Sequence, residues 1–275
     1  MSRETVAAPA DGLRVNALIL AGNRGGADSI AALTGVSHKA LAPIQGVPML
    51  LRVLRCLTAC PAIEQIYVCM DDPALLEDVP DLAAAWHGGI LTVIPPAASP
   101  AASVVAALDR IGLDQPLLIT TADHPLLTPA MVAHFLHNAP VDADFAVALA
   151  RLDVVMAAYP QSIRTGYRLA GQRYSGCNLF LARGKPAARI ATFWQRMEKF
   201  RKKPWRLVLE IGPIALLRFM LGWLDLNAAL EHLSRRTGAR IRAVDMPFAE
   251  AAIDVDKPAD YELVTAILER RANAA

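Results

Sequence analysis

The segment from Val15 to Pro48 constrains the fold more than any other part of the chain. It opens with a nearly continuous apolar run, VNALILA, at residues 15–21. An apolar run that ends in glycine is typical of a strand covered on both faces in a parallel sheet. Glycine also permits positive φ and close approach of the backbone to a ligand, and the run is followed by Gly22, Gly25 and Gly26. We therefore predict a buried strand and then a ligand-binding loop.

The loop after this strand carries positive charge from Arg24, His38 and Lys39. Backbone N–H groups beside cations in a strand-loop unit form a site for phosphate. The spacing matches neither the GxxxxGKS/T loop nor the GxGxxG dinucleotide fingerprint. A glycine-rich surface turn is the alternative, but the preceding strand and the KALAP segment that begins at Lys39 favour a loop that holds a nucleoside triphosphate.

The bulk composition indicates a folded chain with a substantial core, since 54% of its 275 residues are hydrophobic and 20% are charged. A net charge of +2 does not predict a nucleic-acid-binding face. Residues 1–14 hold no apolar run and are expected to form a flexible leader rather than a secretory signal. The cysteines lack a paired CxxC pattern, which argues against zinc and favours a reduced, cytoplasmic setting; they are Cys56, Cys60, Cys69 and Cys177.

Apolar periodicity alternates between strand-like runs and helical stretches, which predicts an α/β fold: a Rossmann-like three-layer sandwich with a mostly parallel central sheet. We expect one domain over residues 15–275, with a helical insert at about 186–236 and an irregular stretch at 154–171. The predicted strands are 15–21, 64–70, 90–94, 115–121, 144–150, 174–181 and 240–246. The main predicted helices outside the insert are 49–57, 102–111, 129–137 and 259–270.

Three acidic residues stand where ligand chemistry is expected. Asp123 directly follows the apolar strand at 115–121, and the carboxyl end of a central parallel strand is where α/β sheets place their ligands. Asp254 and Asp256 precede the last predicted helix. Asp123 could instead be an acid of an N-terminal turn or helix cap, and the later pair could cap the last helix.

Four motifs occur in one order along the chain: LILAG with the Arg/Gly loop and KALAPIQGVPML, then TADHPLL at 121–127, GCNLF at 176–180 and DVDKPADY at 254–261. This ordered set resembles the nucleotidyltransferase superfamily that contains the molybdenum-cofactor guanylyltransferases. The resemblance covers most of residues 15–183 and 240–272.

The resemblance implies a Mg²⁺-dependent nucleotidyltransferase, which transfers NMP from CTP or GTP to a small phosphorylated acceptor and releases pyrophosphate. It implies catalytic roles for Lys39, Arg24 and Asp123. It also implies a metal site formed by Asp123 and Asp254, with Asp256 as the alternative to Asp254 for the second ligand. Carboxylates and substrate phosphates are what Mg²⁺ prefers. The implied nucleotide- and substrate-binding residues are Leu20, Ala21, Gly22, Asn23, Gly25, Gly26, Ser99, Ser103 and Asn178.

The chain also departs from the family pattern. Arg24 comes earlier in the loop than the family's arginine does, and a longer insert separates it from Lys39. Ser103-Val104 is similar to the serine-valine pair of the cytidylyltransferases of isoprenoid synthesis, which favours CTP, although Ser99 or Ser103 could equally be a helix N-cap. We expect His124 to be a structural histidine rather than a substrate contact. Asn178 could contact the acceptor or ribose, or it could be a buried amide within the strand.

The predicted helical insert is the least family-like part. Its KFRKKPWR segment, which begins at Lys199, and the apolar stretch after it suggest either contact with an anionic membrane surface and a lipid-linked acceptor, or a lid or homodimer interface, which we favour. Internal charges and a Gly-Pro break argue against a membrane span. Two other functions stay open at this point: a nucleotide-sugar-dependent glycosyltransferase, and a non-catalytic scaffold that binds nucleotide or a membrane surface.

Overall fold

The computed structural model describes residues 12–22, 28–162, 166–200 and 212–274, without the side chains of residues 200 and 213–216. The strands are β1 (Val15–Leu20), β2 (Pro43–Ile44), β3 (Val47–Pro48), β4 (Ile63–Cys69), β5 (Leu91–Ile94), β6 (Leu117–Thr121), β7 (Phe145–Arg151), β8 (Tyr167–Leu169), β9 (Gln172–Ala182) and β10 (Ile241–Asp245). The helices are α1 (Ser29–Thr34), α2 (Met49–Thr58), α3 (Pro80–His87), α4 (Pro100–Ile111), α5 (Pro129–Asn138), α6 (Leu152–Ala158), α7 (Pro186–Phe200), α8 (Pro213–Met220), α9 (Leu226–Thr237) and α10 (Pro258–Ala274).

The main sheet has the strand order β10-β7-β9-β6-β1-β4-β5, and β8 pairs with β9. β1 pairs in parallel with β4 and β6, β4 pairs in parallel with β5, and β7 pairs in parallel with β10. β9 runs antiparallel to β6, β7 and β8. The predicted mostly parallel sheet is therefore confirmed, with β6 in the middle of the seven-strand order.

Side chains along β1 alternate between two hydrophobic clusters, one on each face of the sheet. Ile19 packs in the same cluster as Leu50 of α2 and Phe135 of α5. Its neighbour Leu18 packs in the same cluster as Val104 of α4 and Ala191 of α7. Because successive residues of a strand point to opposite faces, this division places helices on both sides of the sheet. The predicted three-layer, Rossmann-like α/β architecture is confirmed.

The expectation of an irregular stretch at 154–171 is wrong. Residues 152–158 form α6, and β8 pairs with the start of β9 around a tight turn at Ala170 and Gly171, which have φ of 44° and 86°. Two successive positive φ values are what a two-residue hairpin turn requires. The helix and the strand are each too short to show a clear period in the sequence, so this hairpin was not predicted.

An irregularity in β9 changes the direction of one predicted site residue. Phe180 lies opposite Val147 of β7 and Gly176 lies opposite Leu149, so residues 177–179 face the single residue 148. Asn178, at the centre of this bulge, has φ of 47°. Asparagine adopts this left-handed conformation more readily than most residues do, and bulges of this kind often direct a side chain toward an active site.

The helical segment between β9 and β10 contains α7, α8 and α9, and the KFRKKPWR segment lies mostly outside the described residues. Among the helices that the structure describes, none is long and apolar enough to cross a membrane.

Truncation of a core residue on β1 should have a large effect on stability. We expect Ile19→Ala to lower the free energy of unfolding by about 2–5 kcal/mol, because it removes packed methyl groups and leaves a cavity. Val141→Ala, at a position that is 95% exposed, should change it by less than about 0.5 kcal/mol. Denaturant unfolding of both variants measures the difference, and similar losses would contradict the central position of β1.

The backbone of Asn178 gives a second stability prediction. Asn178→Val should lower the free energy of unfolding by about 1–3 kcal/mol more than Asn178→Gly does, because a β-branched residue is strained at positive φ and glycine is not. Both variants lose the side-chain amide, so denaturant unfolding of the pair isolates the backbone contribution. Equal stabilities of the two variants would mean that residue 178 does not keep its positive φ.

Candidate functional site

The carboxyl ends of three adjacent parallel strands meet at one edge of the sheet. Leu20, the last residue of β1, lies opposite Cys69 of β4 and Thr121 of β6. Backbone hydrogen bonds extend both pairings by one residue, from Ala21 N–H to the Cys69 carbonyl at 3.0 Å and from Ala122 N–H to the Leu20 carbonyl at 3.0 Å. The glycine-rich loop and Asp123 therefore start side by side, at the edge where α/β sheets bind ligands.

The late DVDKPADY motif is fixed to the same edge by a backbone hydrogen bond. Val255 N–H donates to the carbonyl of Asp123 at 2.9 Å. Ile253 and Val255 are fully buried, whereas the alternate residues Asp254 and Asp256 line a cavity together with Asp123. The side-chain carboxylate of Asp260 accepts hydrogen bonds from the N–H groups of Asp256 and Lys257 at the start of α10. The three predicted acids thus lie in one site.

Lys39 reaches this site from a short 3-10 turn at residues 39–41 that begins after His38. The buried His38 ring accepts a hydrogen bond at Nδ1 from Ala40 N–H, at 3.1 Å, and its Nε2 lies 3.4 Å from the carboxylate of Asp71. The sequence suggested His38 as a source of charge. Its contacts show that it fixes the turn, and so the position of Lys39.

The Lys39 ammonium group bridges two of the acids. Its Nζ donates to Asp123 Oδ2 at 2.7 Å and to Asp256 Oδ1 at 2.8 Å. Burial disfavours the charged form of Lys39, but the charges of Asp123 and Asp256 and their hydrogen bonds outweigh it, and the pKa of Lys39 is raised above its ordinary value. The lysine is therefore held as a cation at the carboxyl edge of the sheet.

The oxygen atoms of these acids are chemically suited to Mg²⁺. Asp123 Oδ1 is buried and has no hydrogen-bond partner in the described part of the chain, and Asp254 Oδ2 accepts a hydrogen bond from the amide of Asn178 at 2.9 Å. Within the described ranges, no three His, Cys, Asp or Glu side chains are grouped closely enough to form a metal site of their own. One or two carboxylates that leave room for substrate oxygens fit Mg²⁺, which rarely uses an all-protein site.

A cavity of about 430 Å³ contains these groups, a size typical of small-molecule sites. Asn23, Arg24, Gly25 and Gly26, which were also predicted to bind nucleotide, lie outside the described residues. The other predicted site residues all line the cavity: Leu20, Ala21, Gly22, Lys39, Ser99, Ser103, Asp123, Asn178, Asp254 and Asp256.

The loop before α4 forms one wall of the cavity. A Cβ atom on Gly22 would lie only 3.1 Å from Cβ of Pro96, so a larger residue would fit only if Pro96 moved by a few tenths of an ångström. Ser99 Oγ accepts a hydrogen bond from Ala102 N–H at 3.2 Å and is the N-cap of α4. Ser103 Oγ accepts one from Ala97 N–H at 2.9 Å. Both hydroxyls therefore stabilise the loop, and Ser99 is the helix cap that the sequence offered as an alternative role.

The remaining wall includes residues that the sequence did not single out: Phe180 of β9 and Trp194 and Glu198 of α7. The Phe180 and Trp194 rings lie 5.5 Å apart, tilted by 45°. Trp194 and Glu198 are one helical turn apart, a spacing that puts them on one face of α7. His124, by contrast, is buried and does not belong to the described lining, in agreement with a structural role.

Comparison with known structures supports the fold and the motifs together. A hypothetical transferase from Thermus thermophilus is 29% identical, with a TM-score of 0.75 over 90% of this chain and 99% of its own. CMP:2-keto-3-deoxy-manno-octonic acid synthetase complexed with CTP is 16% identical, with a TM-score of 0.57 over 94% and 99%. The 4-diphosphocytidyl-2C-methyl-D-erythritol synthase of Anaerococcus prevotii is 10% identical, with a TM-score of 0.57 over 94% and 100%. The last two likenesses concern the fold alone.

No curated protein is detectably similar to the chain in sequence. The family model for the MobA-like NTP transferase domain, however, matches residues 17–202, which include most of β1, Lys39, Asp123 and the bulge of β9. The nucleotidyltransferase resemblance that the ordered motifs indicated is therefore confirmed, and the chain belongs to the MobA-like NTP transferase family.

Proposed function

We propose that this nucleotidyltransferase transfers NMP from CTP or GTP to a small phosphorylated acceptor and releases pyrophosphate. The observation that carries the proposal is the position of Lys39, held between Asp123 and Asp256 at the carboxyl edge of the sheet, in a cavity of about 430 Å³. A cation beside carboxylates in a site of this size suits a metal-bound triphosphate.

The proposed roles follow from the charge that the reaction develops. Negative charge builds on the α-phosphate and on the leaving pyrophosphate, so catalysis depends on positioning and on cations. Lys39 supplies one cation. Asp123, whose Oδ1 has no hydrogen-bond partner among the described residues, would hold Mg²⁺ together with Asp254 or Asp256. When bound, the ion would supply Lewis-acid stabilisation of phosphate oxygens.

Nucleotide binding is proposed for the loop that begins at Gly22 and continues through Arg24, whose backbone N–H groups and side chain would contact the triphosphate. The base would lie against the loop that ends at Ser99 and against the first turn of α4, which carries Ser103. Two fold neighbours are named for CTP or for a cytidyl product, which supports CTP as the first nucleotide to test. Asn178 is proposed to position Asp254 through its amide hydrogen bond.

We also propose that residues 15–275 act as one catalytic domain. The support is that Ala187 and Ala191 of α7 pack in the same hydrophobic cluster as Leu18 of β1 and Val104 of α4. A helix that shares the core of the sheet is a fixed part of the cavity wall rather than a separate unit.

The first experiment measures nucleotide binding and pyrophosphate release with CTP, GTP, ATP and UTP, each with Mg²⁺ and a panel of phosphomonoesters. A bound nucleotide at 100 times its Kd should stabilise the fold by about 2.7 kcal/mol in thermal unfolding. Asp123→Asn should lower kcat by about 100- to 1000-fold, whereas Asp81→Asn, at an exposed residue paired with Arg55, should leave it unchanged. Absence of both nucleotide binding and pyrophosphate release would refute the proposal.

Substitution of Lys39 should have opposite effects on turnover and on metal affinity. Lys39→Met should lower kcat by about 100- to 1000-fold because a phosphate-neutralising cation is lost. In the absence of nucleotide the same variant should bind Mn²⁺ more tightly, because Asp123 and Asp256 no longer pair with the lysine. Titration of Mn²⁺ measures this, with Lys185→Met, at an exposed position, as the control. Weaker Mn²⁺ binding by Lys39→Met would contradict the proposed metal site.

The raised pKa of Lys39 predicts how its ion pairs depend on pH. A lysine whose pKa is raised on folding contributes stability that is complete below the unfolded pKa of about 10.4 and is lost as the pH rises through the folded pKa. The difference in unfolding free energy between Lys39→Met and the unaltered protein should therefore stay constant between about pH 7 and pH 9. Denaturant unfolding across that range measures it, and a steady change would contradict the charged state assigned to Lys39.

A further inference from the structure

One face of α7 changes character where the helix reaches the cavity. Ala187, Ile190 and Ala191 are buried and pack in the cluster that contains α4. The same stripe continues at helical spacing to Trp194 and Glu198, which line the cavity. An acidic residue at the end of an apolar stripe is not explained by packing.

One oxygen of the Glu198 carboxylate is left without a partner among the described residues. Its Oε2 atom is shielded from solvent and has no hydrogen-bond partner in the part of the chain that the structure describes. Lys39 is the only lysine or arginine among the described residues that line the cavity, and it already pairs with Asp123 and Asp256. A shielded, unpaired carboxylate oxygen is costly for the folded protein, and such a group in a ligand cavity indicates a partner that the ligand supplies.

The aromatic residues beside Glu198 suit a positive charge. Phe180 and Trp194 form a tilted pair with centroids 5.5 Å apart in the lining of the same cavity. The faces of aromatic rings carry partial negative charge and attract cations, and tryptophan does so most strongly. Phe180 also lies two residues after Asn178 on β9, so this aromatic pair is next to the strand segment that contacts Asp254.

The electrostatics of the cavity restrict how an acceptor can bind. Glu198 repels phosphate, so the phosphate of the acceptor belongs on the Lys39 side, and the opposite end of the acceptor belongs beside Glu198. A hydroxyl group there would satisfy one carboxylate oxygen but leave its charge uncompensated. A protonated amine would do both, since charge-assisted hydrogen bonds are about twice as strong as neutral ones, and it would also meet the aromatic faces.

We propose that the acceptor is a phosphomonoester with a protonated amine at its other end, and that Glu198 binds this amine beside Phe180 and Trp194. This inference rests on the proposed nucleotidyl transfer and assigns its substrate class. Glu198 acts as a specificity-determining residue: it contacts the amine rather than the reacting phosphate, and it orients the acceptor by attraction at one end and repulsion at the other.

The test compares ω-aminoalkyl phosphates with ω-hydroxyalkyl phosphates of matched chain length, using the full chain with Mg²⁺ and the nucleotide that it accepts. The amine series should have a KM at least about tenfold lower. Glu198→Gln should remove this preference by raising KM for the amines, with little change in kcat and none in nucleotide affinity. Glu269→Gln, on an exposed part of α10, is the matched control.

Two further measurements separate recognition from folding and from turnover. Glu198→Gln should unfold at the same or a higher temperature, because a neutral amide replaces an unpaired carboxylate, and a marked loss of stability would overturn the proposal in favour of a structural role. Calorimetry with an aminoalkyl phosphate in the presence of Mg²⁺ should show binding that weakens at least about tenfold in Glu198→Gln.

The outcomes distinguish this inference from the proposed function. Pyrophosphate release with other phosphomonoesters, without a preference for amines, would overturn the acceptor assignment and leave nucleotidyl transfer intact. An amine preference that persists in Glu198→Gln would likewise overturn the role of this residue. Absence of nucleotide binding and of pyrophosphate release with every acceptor would refute the proposed function, and the assignment of its acceptor with it.

Discussion

The hydrogen-bonded ion pairs of Lys39 join three segments that are far apart in the sequence. Asp123 follows β6, Asp256 precedes α10, and Lys39 lies in the connection after β1, yet both carboxylates bond to one ammonium group at 2.7 and 2.8 Å. Two carboxylates close together repel each other unless a cation lies between them. The geometry of the carboxyl edge therefore depends on this lysine, and the turn fixed by His38 keeps it in place.

Sequence reasoning located the strands that carry this edge because a parallel strand buried on both faces must be almost wholly apolar. The runs that become β1 and β6 show this pattern, and Asp123 stands directly after one of them. The carboxyl ends of adjacent parallel strands share one edge, so the meeting of these segments followed from the strand assignment. Lys39 and Asp256 were expected at the same site, but their direct bond is a tertiary contact that no local pattern specifies.

Other features could not be predicted because they depend on which elements become neighbours. The bulge at Asn178 arises from a register shift between β9 and β7, in which three residues of β9 lie opposite one residue of β7. The sequence of residues 177–179 does not predict this shift. The helical period of α7 does predict that Trp194 and Glu198 share a face. It does not say that this face passes the cavity, since that depends on the packing of α7 against α4.

The two sides of the cavity are built in physically different ways, and this bears on how one fold could serve different acceptors. The side that holds Lys39 and Asp123 is set by strand ends and backbone hydrogen bonds, so a change there would disturb the sheet. The side that holds Trp194 and Glu198 is the end of one helix face, where a side chain can change without a change in the backbone. The proposed phosphate chemistry and the proposed recognition of the acceptor therefore use different elements of the fold, and rigid scaffolds tolerate variation best at positions outside their main hydrogen-bond network.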